Sequence, residues 1–318
     1  TSVAEVYVRS YGKLNGAVTA MKTAIKAAAA AGLFILTLFP GCAQRQTDEA
    51  NLRLLYWNIQ NGMWSGQGDN YTRFVNWVSA QNPDVCVWCE SVTNYKTASD
   101  EKIKPEEAYL PEHWGELARR YGHEYWYKGG HRDNFPQVIT SKYPIENVAR
   151  LIGGVPDSIV SHGAGWAQIR KNGHTVNIVS LHTWPQVYGF GLADKLERKA
   201  SAAAREGDRF RRMEIEYVCN HTIGSVAGAE KQLWMMMGDF NSKSRVDNYE
   251  YGFPEDTTAF LVHDYICQHT PYVDVIAAKY PGEFQTTTGR RFRIDYVYCT
   301  RPLYDRIVSA RVVSDEYT

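Results

Sequence analysis

Short apolar stretches alternate with amphipathic stretches along most of this chain. Residues 52–57 and 85–89 are almost entirely apolar, which is typical of buried strands, whereas residues 71–80 carry apolar side chains at helical spacing. An Asn-Gly pair at 172–173 lies between two apolar runs and predicts a β-hairpin. Hairpins mixed with helices argue against a simple Rossmann alternation and favour an antiparallel or mixed α/β sandwich.

The same patterns predict further elements on both sides of this hairpin. Residues 113–121 are predicted to form a second helix, and Phe210, Met213 and Tyr217 mark one apolar face of a third. Residues 291–299 and 306–313 are predicted to be the last two strands. Since no repeat or low-complexity tract interrupts the pattern, we predict one domain over residues 52–318.

The first part of the chain has the features of a targeting sequence. A short basic stretch at residues 21–26 precedes an apolar run over residues 27–38, which is too short to span a membrane comfortably. Because Cys42 follows Gly41, residues 21–42 resemble a bacterial lipoprotein signal, with Cys42 lipidated at the cell envelope after export. The alternative is a plain signal peptide with an incidental cysteine.

The remaining boundaries follow from this interpretation. Residues 43–51 are predicted to be a short linker. Residues 1–20 precede Met21, the first plausible start, and are interpreted as upstream or non-native sequence.

Composition narrows the classes of function. The 318 residues are 44% hydrophobic and 22% charged, which excludes a disordered or collagen-like chain. Beyond residue 42 the chain has 31 basic and 34 acidic residues, a net charge of −3. This charge argues against a protein that coats nucleic acid through a broad basic face, although a nuclease that grips a few phosphates is compatible with it.

One cysteine pair has the spacing of a metal or redox motif. Cys86 and Cys89 are separated by two residues, but no second pair completes a tetrahedral zinc site. Both also belong to an apolar strand, where this odd spacing points their side chains to opposite faces. We therefore predict buried free thiols.

Polar side chains follow several of the predicted strands at the point where each strand ends. Carboxylates and amides of this kind suit a hard divalent cation, and an imidazole suits phosphoryl chemistry. Each such residue alone also has an ordinary structural explanation, as a turn cap or a satisfied polar group. Asn58, Glu90, His182 and Asp239 follow strands in this way, and Asn241 lies two residues beyond Asp239. Asp295 is a further candidate because it lies inside the strand predicted at 291–299, an awkward place for an unpaired carboxylate.

These residues belong to a series of short motifs. In chain order the motifs are Trp-Asn-Ile-Gln-Asn-Gly at 57–62, Cys-Glu at 89–90, Ser-Leu-His-Thr at 180–183, Gly-Asp-Phe-Asn-Ser at 238–242 and Arg-Ile-Asp-Tyr-Val at 293–297. This series resembles that of the endonuclease/exonuclease/phosphatase superfamily, which has the deoxyribonuclease I-like fold. The resemblance implies a four-layered α/β sandwich of two packed mixed β-sheets flanked by helices.

The resemblance also implies roles for the metal-site and water-activating residues. Glu90, assisted by Asn58, is expected to bind Mg²⁺ or Mn²⁺. Asp239 is expected to orient or deprotonate the attacking water, and Asn241 to contact the phosphate.

Two further roles concern imidazoles. His182 is expected to donate a hydrogen bond to the non-bridging phosphate oxygens, and Asp295 to hold a catalytic histidine in the right tautomer. In the superfamily that histidine follows Ser-Asp near the end of the chain, whereas residues 314–316 here are Ser-Asp-Glu. Either Glu316 replaces the histidine or the chain is cut a few residues short. We favour the second explanation and expect this polypeptide to be a poor catalyst.

The sequence defines the substrate less closely than it defines the reaction. His131, Arg132 and Asn134 precede a strand and are candidates for phosphate contact, and Trp184 is a candidate for stacking on a ring; a solvated turn and a covered core are the alternatives. We predict an exported phosphodiesterase acting on a small or membrane-surface phosphoester rather than on duplex DNA. The alternatives are a phosphomonoesterase of the same fold and a catalytically dead lipoprotein that binds phosphoesters.

Overall fold

The computed structural model describes residues 51–60, 69–91, 113–130, 135–153, 160–185, 207–288 and 292–313, and the backbone of residues 4–10. The strands are β1 (Ala4–Ser10), β2 (Leu52–Asn58), β3 (Val85–Cys89), β4 (Tyr125–Gly129), β5 (Gln137–Ser141), β6 (Ile145–Leu151), β7 (Ala164–Lys171), β8 (His174–His182), β9 (Leu233–Asp239), β10 (Tyr272–Asp274), β11 (Asp295–Thr300) and β12 (Ile307–Val312). The helices are α1 (Thr72–Gln81), α2 (Trp114–Arg120), α3 (Gly207–His221), α4 (Asn248–Tyr251), α5 (Leu261–His269), α6 (Val275–Lys279) and α7 (Arg301–Tyr304).

The strands form two sheets of mixed direction. The first has the order β12-β1-β2-β3-β5-β4, and the second has the order β10-β11-β9-β8-β7-β6. In each sheet one central pair is parallel (β2 with β3, β8 with β9) and the next is antiparallel (β3 with β5, β7 with β8). The backbone of β1, which lies within residues 1–20, pairs in parallel with both β2 and β12.

Alternation along β2 shows how the layers are built. Leu54 and Tyr56 pack between the two sheets, whereas Leu55 and Trp57 pack against α1 and α2 on the outer side of the first sheet. A third apolar cluster joins the outer side of the second sheet to α3 and α5. Two sheets face to face with helices outside them confirm the predicted four-layered α/β sandwich.

The hairpin and the cysteines agree with the sequence analysis. Asn172 and Gly173 join β7 to β8 with φ angles of 50° and 76°, the left-handed geometry that this two-residue turn requires. Cys86 and Cys89 are both free and buried, the first on the helix side of the first sheet and the second between the sheets.

Helix α3 packs through a different face from the one that its apolar residues mark. Met213, on the predicted apolar face, is 52% exposed. The buried side chains are instead those of Arg211, Glu214, Ile215, Val218 and Cys219. Two polar side chains therefore take the place of apolar ones in the buried stripe, and their partners lie near the candidate site.

Several predicted segments lie outside the described residues. These are the signal over residues 21–42 with Cys42, the terminal Ser-Asp-Glu at 314–316, and the loop residues His131, Arg132 and Asn134. Their roles and the domain boundaries stay predictions. Within the part of the chain that the structure describes, no helix combines the length and the hydropathy needed to cross a membrane.

Candidate active site

The topology of the two sheets brings the strand-end residues to one edge. β2 and β3 are parallel neighbours, so Asn58 and Glu90 lie side by side where these strands end. In the second sheet His182 pairs with Asp239 at the ends of β8 and β9, and Asp295 begins β11 opposite Asp239. Since both sheets end at this edge, residues far apart in the sequence meet there.

Three of these side chains form a compact group of possible metal ligands. The ligand atoms of Glu90, His182 and Asp239 all lie within 4.8 Å of one another. His182 Nε2 is 3.9 Å from Glu90 Oε1 and 3.8 Å from Asp239 Oδ2. These separations are longer than direct hydrogen bonds, so the three groups face a common point without bonding to one another through the imidazole.

Asn58 links the two carboxylates of this group. Its amide nitrogen donates to Glu90 Oε1 at 3.2 Å and to Asp239 Oδ2 at 3.0 Å. Its amide oxygen accepts the backbone N–H of Gln60 at 3.0 Å. Asn58 therefore orients the two acids, while its predicted role as a metal ligand stays a prediction.

The Asp239 carboxylate is held at both oxygens. Besides the bond from Asn58, its Oδ1 accepts the backbone N–H of Asn241 at 2.8 Å. The Asn241 amide nitrogen donates to the backbone oxygen of Thr183 at 3.0 Å, which joins this segment to the end of β8. Burial raises the pKa of Asp239 well above its ordinary value, and the charges of Asp295 and Glu90 raise it further.

The backbone at this edge adopts a conformation that L-residues rarely populate. Glu90, Asn241 and Gln60 have φ angles of 52°, 46° and 44°. Left-handed non-glycine residues cost about 1 kcal/mol or more each and concentrate at functional sites. Glu90 adopts this conformation directly after β3, where its carboxylate lies within 4.8 Å of the ligand atoms of Asp239 and His182.

A buried tyrosine lies against Asp295 and is absent from the sequence-predicted set. The Tyr56 hydroxyl donates to Asp295 Oδ1 at 2.6 Å, and both residues are buried. Strand alternation already points Tyr56 away from Trp57 and between the sheets, but its partner lies 239 residues away in sequence. Asp295 thus lies within the site as expected, and its role toward a histidine stays a prediction.

Aromatic rings cover His182. Its ring centroid is 4.3 Å from that of His162, with 30° between the planes, and 6.3 Å from that of Phe135. The half-buried Trp184 ring lies 6.1 Å from His162 at 12°. Burial lowers the pKa of His182 to about 4, so its imidazole is neutral at pH 7.

The donor set fits a divalent cation. Two carboxylates, Glu90 and Asp239, converge on one point, and the like charge of Asp295 and Glu90 raises the Asp239 pKa. A cation at that point would relieve this repulsion, and carboxylate oxygens are the ligands that Mg²⁺ and Mn²⁺ prefer.

Comparison with known proteins places this architecture. Neither protein-family models nor the sequences of curated proteins give a match. Among solved structures, an AP endonuclease from Archaeoglobus fulgidus is 15% identical, with a TM-score of 0.50 over 80% of this chain and 88% of that chain. The catalytic domain of human Nocturnin, with bound sulfate anion, is 13% identical, with a TM-score of 0.52 over 79% of this chain and 83% of that chain. This chain therefore has the deoxyribonuclease I-like fold, the fold of the endonuclease/exonuclease/phosphatase superfamily.

Proposed function

We propose that this chain is a metal-dependent phosphoric ester hydrolase, and that it cleaves phosphodiesters by attack of water on phosphorus. The observation that carries the proposal is the convergence of Glu90, His182 and Asp239 within 4.8 Å at the edge where both sheets end. The fold supports it, because an AP endonuclease shares this architecture.

The acidic residues have distinct proposed roles. Glu90, with Asn58 beside it, would hold Mg²⁺ or Mn²⁺; when bound, such a cation supplies neutralisation of the charge on the phosphate oxygens. Asp239 would orient the attacking water and accept its proton. A carboxyl whose pKa is raised is a stronger base, and the bonds from Asn58 and Asn241 fix its direction.

The remaining groups would act on the phosphate. His182 is neutral at pH 7 and presents an N–H donor, which would stabilise the non-bridging oxygens as their charge grows. Asn241 would contact the phosphate from the loop after β9. Asp295, with one oxygen fixed by Tyr56, would orient a catalytic imidazole through its other oxygen.

The substrate class is part of the proposal. The net charge of −3 beyond residue 42 favours a small or membrane-surface phosphoester over duplex DNA. Trp184 beside His162 would stack on a ring of the substrate. His131, Arg132 and Asn134, just before Phe135, would approach its phosphate.

Hydrolysis of bis(p-nitrophenyl) phosphate by the purified chain tests the reaction. We expect turnover that requires Mg²⁺ or Mn²⁺ and falls about 10²- to 10⁴-fold in Asp239→Asn and Glu90→Gln. Asp256→Asn, the same chemical change at an exposed acid, is the control and should leave the rate unchanged. Because each variant is compared with the unmodified chain, the test does not depend on a high absolute rate. Turnover that persists in EDTA or in Asp239→Asn would contradict the proposal.

The same preparation separates the alternatives. Faster release of p-nitrophenol from p-nitrophenyl phosphate than from the diester would indicate a phosphomonoesterase. Binding of phosphoesters without metal and without turnover would indicate a binding protein.

We also propose that the protein is exported and lipid-anchored through Cys42, on the strength of the basic and apolar segments that precede it. Incorporation of labelled fatty acid during expression in bacteria, and its loss in Cys42→Ser, would support the anchor. Unlabelled protein in the aqueous fraction would contradict it.

A further inference from the structure

A buried glutamate on α3 joins the two loops that carry the rings over His182. Glu214 is 1% exposed, and its Oε1 accepts both the backbone N–H and the hydroxyl of Ser161, at 2.8 and 2.5 Å. Its Oε2 accepts the backbone N–H of Trp184 at 3.0 Å. One carboxylate thereby connects the segment before β7 to the segment after β8.

Other bonds brace the same two segments. The backbone N–H of His182 donates to the oxygen of Gly163 at 3.3 Å. Arg211, one turn before Glu214, donates to the backbone oxygens of Trp184 and Pro185 at 3.1 and 3.3 Å. Both polar side chains in the buried stripe of α3, Arg211 and Glu214, therefore bind the backbone of these loops.

The residue that this arrangement fixes most directly is His162, which follows Ser161. Its ring is 3% exposed and stacks on the His182 ring at 4.3 Å, with Trp184 nearly parallel on the same stack at 6.1 Å. Such a stack limits rotation of the His182 ring, whose Nε2 then stays directed at Glu90 and Asp239.

The chemistry at position 214 argues for a need beyond packing. Burying a carboxyl is unfavourable unless its oxygens are hydrogen-bonded, and an apolar side chain would continue the stripe of Ile215 and Val218 at lower cost. Only an acceptor with two oxygens binds the donors of both loops at once. Burial raises the pKa of Glu214 to about 7, because the ionised carboxylate is less stable away from water.

We propose that His162 is a positioning residue for His182, and that Glu214 holds His162 in place by tying its loop to that of Trp184. The inference rests on the proposed function, since it assigns the stack a part in hydrolysis. It predicts that the flat ring at position 162 matters, rather than its nitrogens, and that kcat rather than KM depends on it.

Two substitutions at position 162 test this. In His162→Ala the His182 ring is free to rotate, and we expect kcat for bis(p-nitrophenyl) phosphate to fall about 10- to 100-fold while KM changes less than about 3-fold. His162→Phe keeps the stacked ring and should restore most of kcat. His123→Ala is the matched control, because His123 is equally buried but bonds to Thr140 and Pro83 away from the site; it should lower stability and spare kcat.

Position 214 gives an independent test. A glutamine presents one oxygen only, so Glu214→Gln serves the donors of one loop, and kcat should fall about 10-fold. Glu216→Gln is the control, because Glu216 pairs with Arg212 on the exposed face of α3, and it should leave kcat unaltered.

The outcomes are decisive in either direction. Unchanged kcat in His162→Ala, equal damage in His162→Phe, or a rise in KM alone would overturn the inference. If the unmodified chain hydrolyses no phosphoester, the proposed function fails. The positioning claim is then decided by crystal structures of the two His162 variants, in which the His182 ring should turn away from Asp239 with alanine and stay in place with phenylalanine.

Discussion

Within the described residues, two clusters of acidic side chains differ in whether the chain itself supplies them with a cation. Asp247 and Asp274 flank Arg293, whose guanidinium is 2.8 Å from a carboxylate oxygen of each. Asp239 instead lies near Asp295 and Glu90, and both of these acids raise its pKa. We call the first the Arg293 group and the second the acid group.

The difference separates a structural role from a functional one. In the Arg293 group the cation is part of the chain, so one guanidinium contacts both carboxylates as soon as the protein folds and neutralises one of their two charges. In the acid group the negative charge of one acid disfavours ionisation of the next, which destabilises the folded state. A cation bound from solution would relieve this repulsion. The acid group is thus the one suited to ligand binding.

The largest expected effect comes from removing the internal cation. Arg293→Met leaves two buried carboxylates without their partner and should lower the free energy of unfolding by about 3–5 kcal/mol. Urea denaturation measures this loss. Arg301→Met is the control, because Arg301 pairs with Asp305 at an exposed surface and should change stability by less than about 1 kcal/mol. Equal losses in the two variants would mean that the Arg293 group is not structural.

The second prediction concerns the cation that the acid group lacks within the chain. Saturating Mg²⁺ or Mn²⁺ at about 100 times its Kd should raise the free energy of unfolding by about 2.7 kcal/mol. Asp239→Asn should abolish most of this gain, whereas Asp247→Asn should keep it. Denaturation with and without EDTA gives both numbers.

The same two variants should have opposite effects without metal. A raised pKa means that the Asp239 carboxyl stabilises the folded state at low pH, and that this contribution is lost as pH rises through the raised pKa. Asparagine at position 239 still offers an acceptor to the Asn241 N–H and removes the carboxyl whose ionisation burial and two acids disfavour, so Asp239→Asn should gain stability. Asp247→Asn weakens the buried hydrogen bond that Arg293 donates at 2.8 Å and should lose stability. A loss in both would contradict the contrast between the groups.

The acid group also shows which site residues can be predicted from the sequence. Asn58, Glu90, His182 and Asp239 are predictable because each polar residue directly follows an apolar strand, which is a local pattern. Tyr56 is not, since its meaning depends on Asp295, 239 residues away.

In helix α3 the sequence pattern predicts the wrong buried face. Apolar periodicity points to Met213, yet the helix buries Arg211 and Glu214, whose partners are loop residues. A pattern of hydrophobicity cannot reveal a face that is buried for the sake of hydrogen bonds.

A buried histidine borders each group, and pH distinguishes their contributions. Burial lowers the pKa of His182 to about 4; burial and the charge of Arg293 lower that of His263 to about 3. Because the pKa is lowered, each neutral histidine contributes fully to the free energy of unfolding above about pH 6.5, the unfolded-state pKa, and this contribution is lost as pH falls toward the folded-state pKa. At pH 5 the loss is about 2 kcal/mol per histidine.

Differences between variants isolate these contributions from other titrating groups. Between pH 8 and pH 5, His263→Gln and His182→Gln should each lose about 2 kcal/mol less than the unmodified chain. The exposed His174 is the control, and His174→Gln should follow the unmodified chain. A parallel pH profile in all three variants would show that neither buried histidine is held neutral by the fold.

The smallest expected effect concerns the hydrogen bond that stabilises the acid group in the metal-free protein. Tyr56 donates a buried hydrogen bond to Asp295 at 2.6 Å, which favours the ionised carboxylate beside two other acids. Tyr56→Phe keeps the ring and removes this donor, so the metal-free protein should lose about 1 kcal/mol in urea denaturation at pH 7. The loss should shrink in Asp295→Asn, because a neutral amide needs the hydroxyl less. If the two substitutions are additive instead, the loss in Tyr56→Phe does not arise from the bond to Asp295, and the hydroxyl does not stabilise the acid group.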